Sequence, residues 1–202
     1  MLNPNPEIKC FITVATIVAQ LDVILAEAKS LSLTSKNARV VAIRAGESAL
    51  GFKSITNFIN EFSGRTIQIT NDINQHAHEL FELALQHLRA KQIEHHLRQS
   101  LSLQAHSEVT QLHHQAAIEV KSAVQSLKHE LQSLQWQFEE IDQQIRAAEY
   151  IAVTSRVEAS QAGEFCASLE SVSDYISSAA VRIKQSITTN LNTLGELERV
   201  FK

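Results

Sequence analysis

The chain has 202 residues, 44% of them hydrophobic, and a net charge of −4 without any basic stripe, which argues against nucleic-acid binding. There are two prolines, Pro4 and Pro6, and five glycines, so a sheet protein with a turn about every 8–12 residues is excluded. The two cysteines, Cys10 and Cys166, make no disulfide framework, and we expect a reducing, cytoplasmic environment.

The first predicted helix begins at Pro6, because asparagine followed by proline suits a helix N-terminus. From Cys10 to Ala45 apolar side chains recur in alternating steps of four and three residues, the heptad spacing of a coiled coil. This seam ends at Gly46. Its most apolar segment, Phe11–Ala26, contains a glutamine and an aspartate and is shorter than the roughly 20 apolar residues of a spanning helix. We therefore expect no membrane span and no signal peptide.

Three more heptad seams follow and predict three further amphipathic helices. The join between the second and third helices is poorly marked, and symmetry places it near residues 99–108. We expect helices over about 6–47, 52–100, 107–163 and 165–201. The second seam comprises Phe52, Ile55, Ile59, Phe62, Thr66, Ile69, Ile73, His76, Leu80, Leu83, His87 and Ala90. The third comprises Val120, Val124, Leu127, Leu131, Leu134, Phe138, Ile141, Ile145, Ala148 and Ala152, and the fourth Phe165, Leu169, Val172, Ile176, Ala179, Ile183, Ile187, Leu191, Leu194 and Phe201.

A nine-residue phrase occurs twice in the chain. Residues 39–47 and 156–164 agree at six of nine positions, and each copy ends in Ala-Gly-Glu at the close of a helical pattern. An internal repeat of this kind predicts that one hairpin is built twice. A phenylalanine follows each copy, Phe52 after the first and Phe165 after the second, and we expect each to begin the returning helix.

The four predicted helices are joined by short connections, which make neighbouring helices antiparallel. The sequence therefore predicts an all-α fold, an elongated antiparallel four-helix coiled-coil bundle made of two helical hairpins. We expect a single domain over residues 1–202, with hairpin one at about 6–100 and hairpin two at about 107–201. The tips of the hairpins, at 46–51 and 163–165, should lie at the same end.

The predicted tips contain residues suited to turning the chain. Gly46 and Gly163 can adopt a positive φ at little steric cost. Glu47 and Glu164 lie at helix termini, where an acid is favoured by the positive end of the next helix. Two interpretations of these glutamates stay open, as capping residues or as direct contacts to a partner.

Two further side chains of the first tip are candidates for partner binding. Leu50 would be an exposed apolar side chain next to charged ones, a combination that often marks a partner surface. It could also fold back on Phe52. Arg44 could anchor a partner or form a salt bridge within the tip.

The phrase that ends in Ala-Gly-Glu, then Gly-Phe and a second heptad helix, resembles the hairpin tip of the signalling domain of bacterial methyl-accepting chemotaxis proteins. That tip has the approximate pattern N-A-x-[VI]-E-A-A-R-A-G-E-x-G-x-G-F. The second copy lacks four residues of this pattern between Glu164 and Phe165. The first copy matches at Asn37, Ala38, Val40, Ala42, Arg44, Ala45, Gly46, Glu47, Gly51 and Phe52, and the second at Val157, Glu158, Ala159, Ala162, Gly163, Glu164 and Phe165.

In that family a dimer of hairpins touches a histidine kinase, its coupling protein and other receptors through the tips. The resemblance implies a non-enzymatic chemotaxis-type signalling or scaffold protein that docks on chemoreceptors, the chemotaxis histidine kinase or the coupling protein. It implies a tip turn formed by Gly46, Gly51 and Gly163. A homodimer is a further expectation. The implied partner-binding tip consists of Arg44, Glu47, Ala49, Leu50, Phe52, Glu158, Glu164 and Phe165.

Histidines are concentrated in the middle of the chain, where eight of the nine fall between His76 and His114. Apart from adjacent pairs, none of these eight shares a helix face with another at the i, i+3 or i, i+4 spacing that metal ligands prefer. We therefore expect no metal and no cofactor. No phosphate-binding loop and no Ser/His/Asp set occurs, so we expect no enzyme. The alternatives are a metal- or haem-binding helical bundle that uses this region, or a purely structural coiled coil.

Overall fold

The computed structural model describes residues 6–103 and 107–200, with side chains over 9–102 and 107–199. Within these residues the chain is helical almost throughout and contains no strand, which confirms the all-α prediction. Two short 3-10 turns interrupt the helices, Gly46–Ala49 and Gly163–Phe165. The long helices are α1 (Pro6–Ala45), α2 (Leu50–Leu103), α3 (Ser107–Ser160) and α4 (Cys166–Val200).

The chain forms two compact units, each containing parts of all four helices. The turn unit consists of Ala19–Asn74 and Gln137–Leu191 and holds both 3-10 turns. The terminal unit consists of the described parts of Met1–Val18, Gln75–Trp136 and Asn192–Lys202. A single domain over the whole chain remains a prediction.

Hydrogen bonds within each hairpin give the direction of the helices in the turn unit. On α1 and α2, Ser35 Oγ donates to the Thr56 carbonyl at 2.5 Å, and Arg39 bonds to Asn57 Oδ1 at 3.0 Å. Ser32 bonds further along, to Asn60, so residue numbers rise on one helix as they fall on the other. The two helices of hairpin one are therefore antiparallel.

The two hairpins of the turn unit are joined by charged pairs. Arg65 of α2 reaches Glu140 of α3 at 2.7 Å. Arg182 of α4 binds Glu27 of α1 with two bonds of 2.6 and 2.8 Å, a bidentate geometry that favours arginine over lysine. In hairpin two, Arg156 and Glu149 of α3 bond to Asp174 and Lys184 of α4, respectively. Together with the bonds within hairpin one, these pairs close a ring of four helices and confirm the four-helix bundle in this unit.

Contacts in the terminal unit follow the same neighbour order. The rings of Phe11 on α1 and Phe81 on α2 lie 5.0 Å apart. Between α2 and α3, His113 Nε2 lies 3.0 Å from Glu94 Oε1. Lys9 of α1 is 4.0 Å from a carboxylate of α4. The helix pairs α1–α2, α2–α3 and α1–α4 are therefore in contact in this unit, as they are in the turn unit.

The duplication extends far beyond the nine-residue phrase. Every buried side chain described on α1 has a buried counterpart on α3 at a constant separation of 117 positions, the separation of Arg39 from Arg156. The buried residues of α2 from Phe52 to Leu80 recur on α4 at the same separation, except that the counterpart of Ile55 is only half-buried. Since burial depends on the whole helix environment, the two hairpins are structural copies of one another.

This correspondence corrects the alignment of the two turns. The counterpart of Phe52 is Leu169, and both side chains are completely buried, whereas Phe165 lies in the 3-10 turn. No residue is therefore missing from the second copy. Equivalent arginines support this alignment, because Arg39 and Arg156 each bond to the residue 18 positions later on the returning helix.

The core follows the predicted seams with local shifts. On α2 the side chains of His76 and Leu83 are only half-buried, and Ala77 and Ala84 occupy the core in their place. The imidazole at position 76 pairs with a carboxylate on α3. The counterpart of Ala77 on α4 is the buried Leu194, so the position, and not the small size of alanine, decides which residue enters the core.

A similar shift occurs on α4. Ser173 and Asn190 are buried in place of Val172 and Leu191, which are half-buried. Heptad spacing alone cannot choose between two adjacent residues, because both lie close to the seam of a 3.6-residue helix. The last predicted seam position, Phe201, lies outside the described residues.

One helical stretch within Lys9–Ser102 is long and apolar enough to cross a membrane by length and composition alone. A third of the residues in its most apolar window, 33%, are buried inside the protein. A core helix passes the same test, so the finding is weak evidence for a membrane span.

Candidate interaction site at the two turns

The turns begin with glycines in the left-handed region of backbone space. Gly46 has φ of 63° and Gly163 has φ of 56°, and no other described residue has a positive φ. A side chain at either position would be strained, which explains glycine at the same place in both copies. In the first turn Ser48 Oγ donates to the Ala45 carbonyl at 2.7 Å. In the second turn, the backbone N–H of Phe165 donates to the Ala162 carbonyl at 3.1 Å.

The two turns meet through Gly51 and Glu158. The carboxylate of Glu158, near the end of α3, lies directly against the backbone of Gly51 in the first turn of α2. A Cβ at position 51 would overlap this carboxylate. The tips of both hairpins therefore form one continuous site in the turn unit.

Four of the predicted partner-binding residues are exposed at this site, Arg44, Glu47, Leu50 and Glu164. Leu50 is 68% exposed while Phe52 is completely buried, so Leu50 does not fold back into the core. Within the described part of the chain, none of the three charged side chains has a hydrogen bond or an ion pair. A capping hydrogen bond from either glutamate and a salt bridge from Arg44 are therefore absent among these residues. Both glutamates do lie in the first turn of a 3-10 helix, where the helix dipole favours an acid, so the capping interpretation stays open in this electrostatic form.

The other four predicted residues are less accessible. Ala49 and Phe52 are buried, so they shape the turn from inside and offer no side chain to a partner. Glu158 and Phe165 are half-buried. Heptad spacing predicts which side chains of an α-helix are buried, but it does not apply to a 3-10 turn. The burial of Ala49, in the first 3-10 turn, could therefore not be predicted from it.

Sequence reasoning missed a set of exposed apolar residues on the parts of α1 and α3 that lead into the turns. On α1, Val40 and Ile43 are exposed; on α3, Tyr150 is 71% exposed and Val157 is exposed too. Val40 and Val157 are counterparts in the duplication, and Tyr150 corresponds to the exposed Leu33. The signal was present as apolar residues off the seam at the same place in both copies. Exposed apolar groups next to charged ones are typical of partner surfaces.

The cysteines take no part in this site as a bonded pair, because both are free. Cys10 is buried. Burial and the neighbouring Glu170 carboxylate raise the pKa of the Cys166 thiol, which favours the protonated thiol over the thiolate at neutral pH.

The adjacent histidine pairs do not assemble into a metal centre within the described residues. His113 bonds to Glu94, and the rings of His95 and His96 lie 6.0 Å apart. His106 lies outside the described residues. The described residues instead bring together His76, Glu79 and Glu130. The sequence signal for this cluster was a histidine and a glutamate at i, i+3, and a search for paired histidines overlooks it.

Comparison with known proteins adds no family assignment to this geometry. No protein-family model matches the sequence, and no curated protein matches it at significant similarity. The chemotaxis-receptor pattern of the two turns therefore stays a resemblance.

Proposed function

We propose that this protein is a non-enzymatic chemotaxis-type signalling or scaffold protein. It docks in the cytoplasm on chemoreceptor-array components, either chemoreceptors or the chemotaxis histidine kinase and its coupling protein. The observation that supports the proposal is the exposed group Arg44, Glu47 and Leu50, whose charges have no partner among the described residues. The group lies within the sequence pattern that resembles the receptor tip.

The composition of this surface suits reversible docking. Complete burial of a leucine side chain such as Leu50 is worth about 2 kcal/mol, and an arginine is among the residues most often found at binding hot spots. Charged groups around an apolar centre contribute orientation and specificity. The exposed Ile43 and Val40 extend the apolar area along α1.

The two copies are not equivalent as docking surfaces. The counterparts of Arg44 and Leu50 in the second copy are Gln161 and Ala167, which lack the charge and the apolar volume. Glu47 has a counterpart of the same type, Glu164. We therefore propose that the first turn supplies most of the binding energy and the second turn supports it through the Gly51–Glu158 contact.

The test compares a triple variant of the first turn, Arg44→Ala, Glu47→Ala and Leu50→Ala, with the wild type. The assay is co-sedimentation with assembled arrays of purified receptor, kinase and coupling protein. We expect the triple variant to bind at least tenfold more weakly, equivalent to about 1.4 kcal/mol. The matched control changes the same three residue types at exposed positions of the terminal unit, by Arg89→Ala, Leu112→Ala and Glu119→Ala, and should bind within twofold of the wild type.

Equal binding by both triple variants would overturn the docking site. If the wild type binds none of the three components, the proposed function is wrong and a purely structural coiled coil is favoured.

A further inference from the structure

We infer that His76, Glu79 and Glu130 form a binding site for one divalent transition-metal ion of the zinc type. The site lies in the terminal unit and joins α2 to α3. It is independent of the proposed function, since none of its residues belongs to the turns.

The geometry of the three side chains suits a metal ion. Their potential ligand atoms all lie within 4.8 Å of one another. His76 Nδ1 is 3.7 Å from Glu79 Oε2 and 2.5 Å from Glu130 Oε1. Two ligands of a tetrahedral ion at about 2.1 Å from the metal are about 3.4 Å apart. The first distance is close to this value, and the second needs an opening of about 1 Å when the metal replaces the hydrogen bond between His76 and Glu130.

Backbone positions support the same arrangement. His76 and Glu79 are three residues apart on α2, so they share one helix face. Glu130 approaches from α3. A metal held by two residues of one helix and one of the next would connect the helices of hairpin one and hairpin two directly.

The charge of Glu130 is the strongest argument. Its residue is only 8% exposed, and a buried carboxylate is costly unless its charge is compensated. The hydrogen bond from His76 supplies part of this compensation, and a bound cation would add to it. The fold does not require an acid there, because the counterpart of Glu130 in the first copy is Thr13, which is also buried. The counterpart of His76 is Thr193. The imidazole therefore comes from the first copy and the acid from the second, whereas the equivalent positions of α4 and α1 hold two threonines, Thr193 and Thr13.

The chemistry of the donors favours zinc-type ions over magnesium or calcium. Imidazole nitrogen suits zinc and its neighbours in the first transition series, whereas magnesium and calcium prefer oxygen ligands only. Three protein ligands leave a fourth position for water or another donor. Glu79 is exposed, which gives the ion an entry path from solvent.

The test is calorimetric titration of the full-length chain with Zn²⁺, and the visible spectrum of the same protein with Co²⁺ as a probe. We expect one ion per chain. His76→Gln and Glu130→Gln should each weaken binding at least tenfold. Glu130→Gln keeps the size of the side chain, and circular dichroism in EDTA checks that both variants are folded.

The matched control is Glu196→Gln, because Glu196 is the counterpart of Glu79 in the second copy. This variant should bind Zn²⁺ within twofold of the wild type, whereas Glu79→Gln should lose affinity. Glu79 is exposed, so its replacement also tests the site if the buried variants fail to fold. An excess of Zn²⁺ should raise the Tm of the wild type more than that of Glu79→Gln.

Two results would overturn the inference. One is the absence of stoichiometric Zn²⁺ binding by the wild type. The other is unchanged affinity in all three site variants, which would place the ion on other histidines such as the pair His95 and His96.

Discussion

The Glu158 carboxylate on α3 lies against Gly51 on α2, so close that any side chain at position 51 would collide with it. The sequence placed Gly51 in the tip turn. In the structure it belongs to the first turn of a helix and has no positive φ, and a Cβ there would displace the end of the Glu158 side chain.

Replacement by alanine should have different effects on stability at the two glycines of α2, Gly51 and Gly64. Gly64→Ala should raise the free energy of unfolding by about 0.5–1 kcal/mol, because alanine favours a helix and a Cβ there meets open space. Gly51→Ala should give no gain or a loss, because the Glu158 side chain must move. Urea denaturation of both variants measures the difference.

The same replacement of Gly51 in a Glu158→Ala variant tests whether the Glu158 side chain causes the difference. In a Glu158→Ala variant the obstacle is gone, so Gly51→Ala should become stabilising, and the double-mutant cycle should show coupling. Equal stabilisation by Gly51→Ala in both backgrounds would contradict the contact.

Asn190 is a core residue whose polar side chain makes no hydrogen bond within the described part of the chain. It is completely buried, and neither atom of its amide has a hydrogen-bond partner in the described part of the chain. Its counterpart in the first hairpin is the buried Ile73. We expect Asn190→Leu to raise the free energy of unfolding by about 1–3 kcal/mol, since an unsatisfied buried group is replaced by an apolar one of similar size.

Thermal denaturation of Asn190→Leu measures this effect as a higher Tm. The control is Asn192→Leu two residues away, where the side chain is exposed and the change should stay within about 0.5 kcal/mol. A lower Tm for Asn190→Leu would mean that the amide is satisfied by water or specifies the helix register.

The stability of the terminal unit should depend on pH through Glu94. A hydrogen bond from Arg98, with a further one from His113, holds the pKa of the Glu94 carboxyl below its usual value of 4.5. A carboxyl whose pKa is lower in the folded state contributes stability above the unfolded value. That contribution should fall as the pH drops from 4.5 through the folded pKa.

Carboxyl chemical shifts of Glu94 followed by NMR during an acid titration give its pKa directly. Arg98→Ala should raise this pKa towards the usual value, and Glu94→Gln should remove the corresponding loss of stability in acid. Arg89→Ala changes an exposed arginine without a partner among the described residues and should leave the pKa unchanged. An unchanged pKa in Arg98→Ala would contradict the assignment of cause.

Much of the candidate site follows from local sequence. Gly46 and Gly163 are needed wherever a helix must end in a left-handed residue, and this requirement is independent of the rest of the fold. The exposure of Leu50, the first residue of α2, does not follow, because the sequence equally allowed it to fold back on Phe52. The contact between Gly51 and Glu158 does not follow, because the two residues belong to different hairpins and meet only when these pack.

Heptad spacing and the scarcity of proline and glycine were sufficient to determine an all-α chain of four long helices, because these are local properties of the polypeptide. Tertiary packing decided which of two adjacent residues faces the core, as at His76 and Ala77 or at Asn190 and Leu191. It also brought Glu130 of α3 to His76 of α2. A helix repeats every 3.6 residues, so spacing defines a face only to within one residue, and the neighbouring helices select the rest.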